Sequence, residues 1–349
     1  MILYNNSLYR KDLNTAVKQV VNLDKLNNKR ILIFGATGLI GSFITDLLLY
    51  YNETQNSDIT IYAASRSIDK LRARFGAYKT DKLIFLEQDL SKGFNSKVAA
   101  DYIIHSANNS HPASIMGAPV DTILSNITGT KSILDEYKNN RVLFISSGEV
   151  YGNSDAKEHI ETEPGILDSL NLRACYPLSK RMTENLIVAH GRQYGSDCVI
   201  ARLCHTYGPC STKEDSRANA QFIENVLDNK DIVMNSKGLN LRSYCYIADS
   251  ASALLTVMIN GARTQAYNIS YDKSVLTIAE YANLVAKLSG KKVLFESPDE
   301  DEVSKQTFIM RQVLRNNKLR GLGWNGSYSP ELGIHNTLQI LRECGDNQC

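Results

Sequence analysis

The sequence predicts an α/β fold, in which a doubly wound parallel sheet is followed by a smaller lobe. Short apolar runs alternate with longer amphipathic segments between residues 30 and 204, as in βαβ units. A glycine-rich turn follows the first apolar run. The alternation loosens after Tyr207-Gly-Pro209. With 349 residues and 43% hydrophobic content, the chain can form one large domain or two coupled ones.

Six short apolar runs are the predicted strands of the sheet. Amphipathic segments flank them, for example at 40–49 and 182–194, where apolar residues recur with helical spacing. This alternation predicts a parallel sheet with helices on both faces. The predicted strands lie at 31–34, 59–64, 83–86, 102–107, 142–146 and 198–203.

Composition argues against several classes of protein. The formal net charge is +2 and Lys and Arg are scattered, so no strong field points to nucleic acid or an acidic membrane. The seven cysteines include no CxxC pair, which supports neither a zinc site nor a disulfide framework and suits a reducing cytoplasm. Met1 is not followed by the apolar core of a signal peptide, and no run approaches the roughly 20 apolar residues of a membrane span. We therefore expect a cytoplasmic protein without a bound metal.

The turn Gly35-Ala-Thr-Gly38-Leu-Ile-Gly41 lies between a predicted strand and a predicted helix. Gly35 permits the tight turn, Gly38 lets backbone N–H groups approach a pyrophosphate, and Gly41 lets the helix pack closely. The start of the helix offers its positive end to the phosphates. An ordinary glycine turn is the alternative, but the flanking strand and helix favour a dinucleotide site. Its expected contacts are Gly35, Thr37, Gly38, Leu39, Ile40 and Gly41.

The choice between NAD and NADP is less clear from the sequence. The second predicted strand ends at Ser65-Arg66, without the carboxylate that usually binds the ribose hydroxyls. Arg66 can bind a 2′-phosphate, stack on adenine in either cofactor, or be a solvated loop cation. Asp89, before Leu90, can receive the adenine amino group or cap the next helix. NAD is the expected cofactor, and NADP stays open.

A proton-transfer site is predicted at Tyr176-Pro-Leu-Ser-Lys180. A tyrosine hydroxyl has a pKa of about 10 and is a poor base at neutral pH. Lys180 lies one helical turn further on the same face, and its charge, with that of an oxidised nicotinamide, favours the phenolate. Tyr176 can then take a proton from a sugar hydroxyl while a hydride leaves the carbon. Ser147, after the fifth predicted strand, is expected to hydrogen-bond the same oxygen.

These motifs divide the chain into three predicted regions. Residues 29–204 form a Rossmann-type cofactor domain. Residues 205–349 form a substrate-binding lobe, with return to the sheet expected near 242–270. Residues 1–28 form an extension whose helix packs on the main domain or on a partner. The helical positions of the extension are Leu13, Val17, Val20 and Val21.

The motifs resemble those of the extended short-chain dehydrogenase/reductase superfamily, in its NAD-dependent nucleotide-sugar epimerase/dehydratase/decarboxylase branch. The resemblance covers roughly residues 30–325. Besides the glycine turn and the Tyr176 segment, the segments that fit the pattern are His105-Ser-Ala107, Asn126-Ile-Thr-Gly-Thr130, Ser147-Gly-Glu149-Val-Tyr-Gly152, Arg202-Leu-Cys-His-Thr-Tyr-Gly-Pro209 and Arg242-Ser-Tyr-Cys-Tyr-Ile-Ala-Asp249.

The resemblance implies a nucleotide-sugar substrate, a tightly held nicotinamide cofactor and a homodimer joined through two helices per subunit. Amphipathic patterns near 120–137 and 178–194 fit those helices. Ser106 and Ala107 are implied on the cofactor side, and the segment Asn108-Asn-Ser-His-Pro112 is implied at the border of the sugar.

Arginines are the expected ligands of the substrate's diphosphate, because a guanidinium binds phosphate in fixed bidentate geometry. Arg242 and Arg217 are the candidates. A surface salt bridge is the alternative for Arg217, in Glu214-Asp-Ser-Arg217. His205 stands where the family usually has Asn, and it either contacts the phosphate or sugar or fills core space.

The branch shares oxidation at sugar C4, after which epimerisation, loss of water or loss of carbon dioxide can follow. Its dehydratases usually carry Asp-Glu after the catalytic serine, and its decarboxylases carry Ser-Glu. This chain has Gly148-Glu149, so the usual acid for elimination is missing. The segments around Arg173 and Asp215-Ser-Arg217 also look like those of UDP-glucuronate decarboxylases.

The leading hypothesis is a redox-neutral enzyme most like a UDP-glucuronate decarboxylase, with Glu149 as a catalytic residue. A 4-epimerase, in which Glu149 only braces its loop, is the first alternative, and an atypical 4,6-dehydratase is the second. A net NADP-dependent oxidoreductase, which Arg66 suits, stays open. A non-catalytic binding protein is disfavoured by the intact Ser147, Tyr176 and Lys180.

Overall fold

Seven parallel strands form the main sheet of the computed structural model, which describes residues 2–94, 97–108, 111–154, 156–212, 214–296 and 309–345. Numbered in chain order, they are β1 (Arg30–Phe34), β2 (Thr60–Ser65), β3 (Leu83–Glu87), β4 (Tyr102–His105), β5 (Arg141–Ser147), β6 (Asp197–Leu203) and β10 (Ala266–Ile269). The spatial order is β10-β6-β5-β4-β1-β2-β3, which winds outward from β1 in both directions. The predicted α/β fold and all six predicted strands are confirmed. The seventh strand, β10, comes from the expected return segment.

Helices cover both faces of the sheet, because alternate residues of a strand point to opposite sides. These helices are α2 (Leu39–Gln55), α3 (Ile68–Phe75), α5 (Pro119–Glu136), α6 (Cys175–Tyr194) and α8 (Ile247–Asn260). The short helix α4 (Pro112–Gly117) precedes α5 and packs on it. Ile31 and Ile33 of β1 join the apolar cluster under α2, α3 and α8. Leu32 and Phe34 join the opposite cluster under α5 and α6.

Some predicted boundaries were wrong by a few residues. The fourth strand ends at His105, so Ser106 and Ala107 belong to the loop after it. The helix of the extension ends at Gln19, so Val20 and Val21 lie beyond it.

A second, smaller sheet lies beyond β6 in the chain. Its central strand is β9 (Leu241–Tyr246), which pairs with β7 (His205–Tyr207), β11 (Val275–Thr277) and β13 (Arg311–Gln312). The register places Gln312 opposite Arg242. The other strands and helices described in this part of the chain are the parallel pair β8 (Ile232–Met234) and β12 (Val293–Phe295), and the helices α7 (Ala218–Leu227), α9 (Ile278–Ser289), α10 (Asn317–Arg320) and α11 (Pro330–Cys344).

The N-terminal extension forms α1 (Ser7–Gln19), which packs on α2 and α8. Asp12 of α1 is buried and accepts hydrogen bonds from Tyr246 Oη (2.6 Å), Tyr328 Oη (2.7 Å) and Asn336 Nδ2 (2.9 Å). The extension therefore packs on the body of its own chain. The division of the chain into regions at residues 28 and 204 stays a prediction. Beyond residue 204, β10 is a strand of the main sheet and α8 packs on that sheet.

Within the described ranges, no helix is both long and apolar enough to cross a membrane. The same ranges hold no group of three or more His, Cys, Asp or Glu side chains placed to bind a metal ion. The cytoplasmic location expected from the cysteines stays a prediction.

Candidate active site

The glycine turn joins β1 to α2 and lies against the loop after β4. Gly35 has φ +77°, and a Cβ there would lie 2.8 Å from the backbone of Ser106 and Ala107. A Cβ on Gly41 would lie 2.3 Å from the Gly35 carbonyl oxygen, which explains the close packing of α2. Above Gly38, by contrast, an added Cβ meets nothing closer than 3.5 Å. The bare backbone, the free space and the start of α2 fit a dinucleotide pyrophosphate. Thr37, Leu39 and Ile40 are half-buried beside it.

The residues expected near adenine follow β2 and β3. Ser65 ends β2, and the Arg66 side chain is exposed. Asp89 caps a short turn by accepting hydrogen bonds from Ser91 N (3.0 Å) and Ser91 Oγ (2.7 Å). These hydrogen bonds lower the pKa of Asp89, and the charge of Arg66 contributes to the shift. Asp89 therefore acts as a cap, and Leu90 after it packs towards α5.

The loop after β4 lies beside the glycine turn. Ser106 Oγ donates to the Phe34 carbonyl oxygen at 2.6 Å, which holds this loop against β1. Asn108 follows, and its Oδ1 is buried without a hydrogen-bond partner among the described residues. The next two residues of the predicted sugar-side segment, Asn109 and Ser110, lie outside the described residues.

Tyr176 and Ser147 meet where α6 begins and β5 ends. Tyr176 is in the first turn of α6 and is buried. Burial raises the pKa of Tyr176 to about 12, and the negative charge of Glu149 adds to the shift. A hydrogen bond with Ser147 and the charges of Arg173 and Arg217 act in the opposite direction. The two hydroxyls therefore lie close enough to share one substrate oxygen, and that shared contact stays a prediction.

Lys180 lies one turn along α6 and is almost fully buried. Its Nζ donates to the Ile145 carbonyl oxygen at 2.8 Å and lies 5.8 Å from the centre of the Tyr176 ring. Burial lowers the pKa of Lys180 to about 7, although the charge of Glu184 partly offsets this. Lys180 can therefore change its charge near neutral pH, next to the candidate base.

Glu149 and Arg173 form an ion pair beside Tyr176. Arg173 Nη2 donates to Glu149 Oε1 at 3.1 Å. The Arg173 side chain is buried, and its Nε and Nη1 have no hydrogen-bond partner in the part of the chain that the structure describes. A buried cation with unpartnered donors is costly, so the arrangement fits an oxyanion ligand.

Two more arginines complete a cationic cluster around His205. Burial lowers the pKa of His205 to about 3, and the charges of Arg242, Arg217 and Arg173 add to the shift. At neutral pH the imidazole is therefore uncharged. His205 Nδ1 is buried and has no described partner. Arg242 is itself buried and donates to the carbonyl oxygens of Leu241 and Ile309.

Arg217 forms an ion pair with the buried Asp215, and 22% of its own side chain stays exposed. Its Nε lies 2.9 Å from Asp215 Oδ1, and His111 Nδ1 contacts the same oxygen at 3.1 Å. Burial would raise the pKa of Asp215, but Arg217 and His111 hold it well below its usual range. The surface-salt-bridge alternative for Arg217 was therefore wrong, because Asp215 is buried.

Sequence patterns gave no role to Gln312 or His111. Gln312 is buried in β13, beside Gly148 and His205. The pairing of β13 with β9 places Gln312 there. The residues around Gln312 in the sequence show no periodic pattern that would predict this position. His111 belongs to the segment predicted to border the sugar, but its contact with Asp215 depends on the folded loops.

The gathered groups suit one kind of chemistry. Tyr176, Ser147 and Lys180 can move a proton to or from a substrate hydroxyl. The arginines can bind a diphosphate or a carboxylate. Both sets lie at the carboxyl ends of the parallel strands, which is where ligands bind in sheets of this type.

The family model described as the NAD dependent epimerase/dehydratase family matches residues 31–270, and the chain belongs to that family. UDP-glucuronic acid decarboxylase 6 of Arabidopsis thaliana is 28% identical over 323 residues, which make up 91% of this chain and 89% of the relative. The predicted superfamily is therefore confirmed.

Solved structures share the fold. UDP-glucose 4-epimerase of Thermotoga maritima, with UDP-glucose, has a TM-score of 0.74 at 20% identity, over 90% of this chain and 99% of that one. dTDP-glucose 4,6-dehydratase of Streptomyces venezuelae, with NAD bound, has a TM-score of 0.74 at 23% identity, over 90% of this chain and 97% of that one.

Proposed function

We propose that this chain is a redox-neutral nucleotide-sugar enzyme, most like a UDP-glucuronate decarboxylase, that transiently oxidises C4 of its sugar. The observation that carries the proposal is the buried Arg173 beside Tyr176. Arg173 binds Glu149 through Nη2 and keeps Nε and Nη1 without a described partner. These donors suit the carboxylate of a hexuronic acid, and the decarboxylase named above matches over 91% of the chain.

The first step is removal of the C4 hydroxyl proton by Tyr176. Ser147 hydrogen-bonds the same oxygen, and protonated Lys180 stabilises the phenolate that the step requires. Bound NAD supplies the acceptor for the C4 hydride. Burial of Tyr176 keeps bulk water away from the transferred proton.

The second step follows from the C4 ketone. A carboxylate on C5 is then β to a carbonyl, so the C5–C6 bond breaks, its electrons enter the C4–C5 enolate and carbon dioxide leaves. Arg173 orients the carboxylate, and Glu149 fixes Arg173. Protonation at C5 follows. The hydride removed in the first step then returns to C4 and Tyr176 returns the proton to the C4 oxygen, which completes a reaction without net oxidation.

A 4-epimerase is the second candidate. Because Arg173 binds Glu149, the carboxylate can simply brace its loop, and epimerisation needs no group at C5. Elimination of water is less well supported, because Gly148 offers no acid for the leaving hydroxyl.

NAD is the proposed cofactor. The glycine turn fits its pyrophosphate, and the relatives include an NAD-bound dehydratase. Arg66 is exposed near Asp89, and it is the residue that would bind the 2′-phosphate if the cofactor were NADP. Titration of the protein with NAD and with NADP, followed by release and quantification of bound nucleotide, tests this choice. Release of reduced cofactor at each turnover would support the net oxidoreductase instead.

A homodimer through α5 and α6 is proposed as well. The two helices pack on each other, and both carry exposed apolar side chains on their outer faces. Such a surface is costly in water and suits a second copy of the same pair of helices. The side chains are Val120, Leu124, Met182 and Val188.

A product screen tests the proposed reaction. The protein is incubated with NAD and one nucleotide sugar at a time, and the product masses are measured by mass spectrometry. The nucleotide sugars are UDP-glucuronate, UDP-glucose, dTDP-glucose and CDP-glucose. We expect loss of carbon dioxide from UDP-glucuronate and no such product with Tyr176→Phe. Loss of water from a hexose would contradict the proposal and require another acid. Samples of unchanged mass go to NMR, where inversion at C4 would establish the epimerase.

A further inference from the structure

We propose that Gln312 binds a hydroxyl of the substrate sugar and takes the place of a side chain that residue 148 does not supply. The inference rests on the proposed nucleotide-sugar site. It concerns the sugar pocket alone and holds for a decarboxylase or an epimerase.

Gly148 and Gln312 occupy one small space. A Cβ built on Gly148 would lie 3.1 Å from Gln312 Nε2 and 3.0 Å from Leu314 Cδ1. A serine at 148 has a further atom beyond Cβ, so its hydroxyl would meet these groups unless Gln312 moved. In this chain the side-chain amide of Gln312 occupies the space that a side chain at residue 148, between Ser147 and Glu149, would otherwise fill.

The Gln312 amide is only partly satisfied. Its side chain is 2% exposed, and Oε1 has no hydrogen-bond partner in the described ranges. Burying an amide oxygen without a donor is unfavourable, and a ligand hydroxyl that donates to it can offset this cost. The unpartnered atom therefore indicates a ligand contact and not only core packing.

The surroundings of Gln312 select the ligand group. His205, which interacts with Gln312, is uncharged at neutral pH and leaves Nδ1 without a described partner. Nε and Nη1 of Arg173 also have no described hydrogen-bond partner. Arg242 lies opposite Gln312 in the pairing of β13 with β9. The arginines donate and carry charge, whereas the amide oxygen accepts. A sugar hydroxyl can both donate to Gln312 and accept from a neighbour, so it fits this corner better than phosphate, which only accepts.

The test separates binding of the sugar from binding of the nucleotide. Full-length protein carrying Tyr176→Phe, which prevents turnover, is titrated in the presence of NAD. The ligand pairs are UDP with UDP-glucuronate, UDP with UDP-glucose, and dTDP with dTDP-glucose. The measured quantity is the ratio of the two Kd values in a pair, which is the gain in affinity contributed by the sugar.

Gln312→Met, which keeps the length of the side chain but removes its acceptor, is expected to lower this gain by about tenfold. The Kd of the nucleoside diphosphate should change by less than about twofold, since no phosphate contact is lost. The exposed Gln339→Met on α11 is the matched control and should leave both values unchanged.

Gly148 provides an independent variant should Gln312→Met fail to fold. Gly148→Ala adds only the Cβ that crowds the amide, so it should lower the same gain without affecting the diphosphate. Gly148→Ser should do the same, and Gly148→Ser with Gln312→Ala should recover part of the loss by making room for the serine hydroxyl.

Three results would overturn the inference. The first is a Kd ratio that stays unchanged in Gln312→Met or, if that variant does not fold, in Gly148→Ala. The second is an equal loss of affinity for the nucleotide sugar and for the nucleoside diphosphate. The third is a parent protein that binds no nucleotide sugar more tightly than its nucleoside diphosphate. A loss seen with UDP-glucose or dTDP-glucose but not with UDP-glucuronate would support the role of Gln312 and contradict the decarboxylase.

Discussion

Arg173 Nη2 lies 3.1 Å from Glu149 Oε1, and the two proposed reactions give this contact different roles. Arg173 is buried, whereas Glu149 keeps about a fifth of its side chain exposed, with 21% relative accessibility. In the proposed decarboxylation, Glu149 orients the cation that binds the substrate carboxylate. In the epimerisation, Glu149 only braces its loop.

Glu149→Gln should reduce release of carbon dioxide by about 100-fold, because the amide weakens the hold on Arg173 and leaves the substrate carboxylate badly placed. Carbon dioxide release from UDP-glucuronate is measured, with the exposed Glu158→Gln as the matched control. Undiminished release would limit Glu149 to a bracing role.

Tyr176→Phe removes one hydroxyl and should reduce turnover by about 100- to 10,000-fold, since proton removal from the sugar depends on it. Binding of the nucleotide sugar, measured by calorimetry, should change little. Tyr194→Phe, at the exposed end of the same helix, serves as the control. Normal turnover in Tyr176→Phe would refute the proposed base.

Lys180 should make the free energy of unfolding depend on pH. The pKa of Lys180 is lowered by burial to about 7 in the folded protein, whereas an unfolded lysine titrates near 10.4. Between these values the unfolded chain binds more protons, so stability rises with pH by up to about 1.4 kcal/mol per unit. Below pH 7 both states hold the proton and the slope vanishes.

Lys180→Met removes this contribution, so the difference in unfolding free energy between variant and wild type should be largest near pH 6 and shrink towards pH 9. Urea unfolding without cofactor at several pH values measures it. The control is Lys287→Met, at an exposed position on α9, and its unfolding free energy should change with pH in parallel with that of the wild type. Parallel curves for Lys180→Met would show that the lysine titrates normally.

Asp12→Ala should destabilise the fold by about 3 kcal/mol. The change leaves the buried hydroxyls of Tyr246 and Tyr328 and the amide of Asn336 without their common acceptor. Urea unfolding measures the loss, and the exposed Asp24→Ala should cause almost none. A loss below about 0.5 kcal/mol would mean that water replaces the carboxylate.

Leu124→Glu should convert the proposed dimer into a monomer, because it places a charge among apolar side chains of α5 and α6. Leu124 is 51% exposed in the single chain. Light scattering at micromolar concentration gives the mass, and Leu332→Glu on α11, at 46% exposure, is the control. A monomeric wild type would refute the dimer.

Local sequence was sufficient to predict the βα turn that is proposed to bind the cofactor. The apolar runs that became strands and the spacing of Gly35, Gly38 and Gly41 are short-range patterns, and each follows from the backbone geometry of one βα turn. Tyr176 and Lys180 were equally visible, because one helix carries both.

The sugar side was less predictable because distant segments build it. Gln312 reaches Gly148 only through the pairing of the two-residue strand β13 with β9. Burial of the Arg217 and Asp215 pair depends on loops that sequence periodicity does not describe. Residue spacing predicts neighbours within an element, whereas these contacts require the complete tertiary structure.

The hydrogen bonds of Asp12 also set an order for protein synthesis. Their donors lie 234, 316 and 324 residues further along the chain. While the ribosome is still making those residues, the Asp12 carboxylate lacks all three donors, and the part of α1 that packs on α8 is uncovered. The contacts of α1 are thus completed only after most of the following chain has been made, and until then its uncovered apolar surface can bind chaperones.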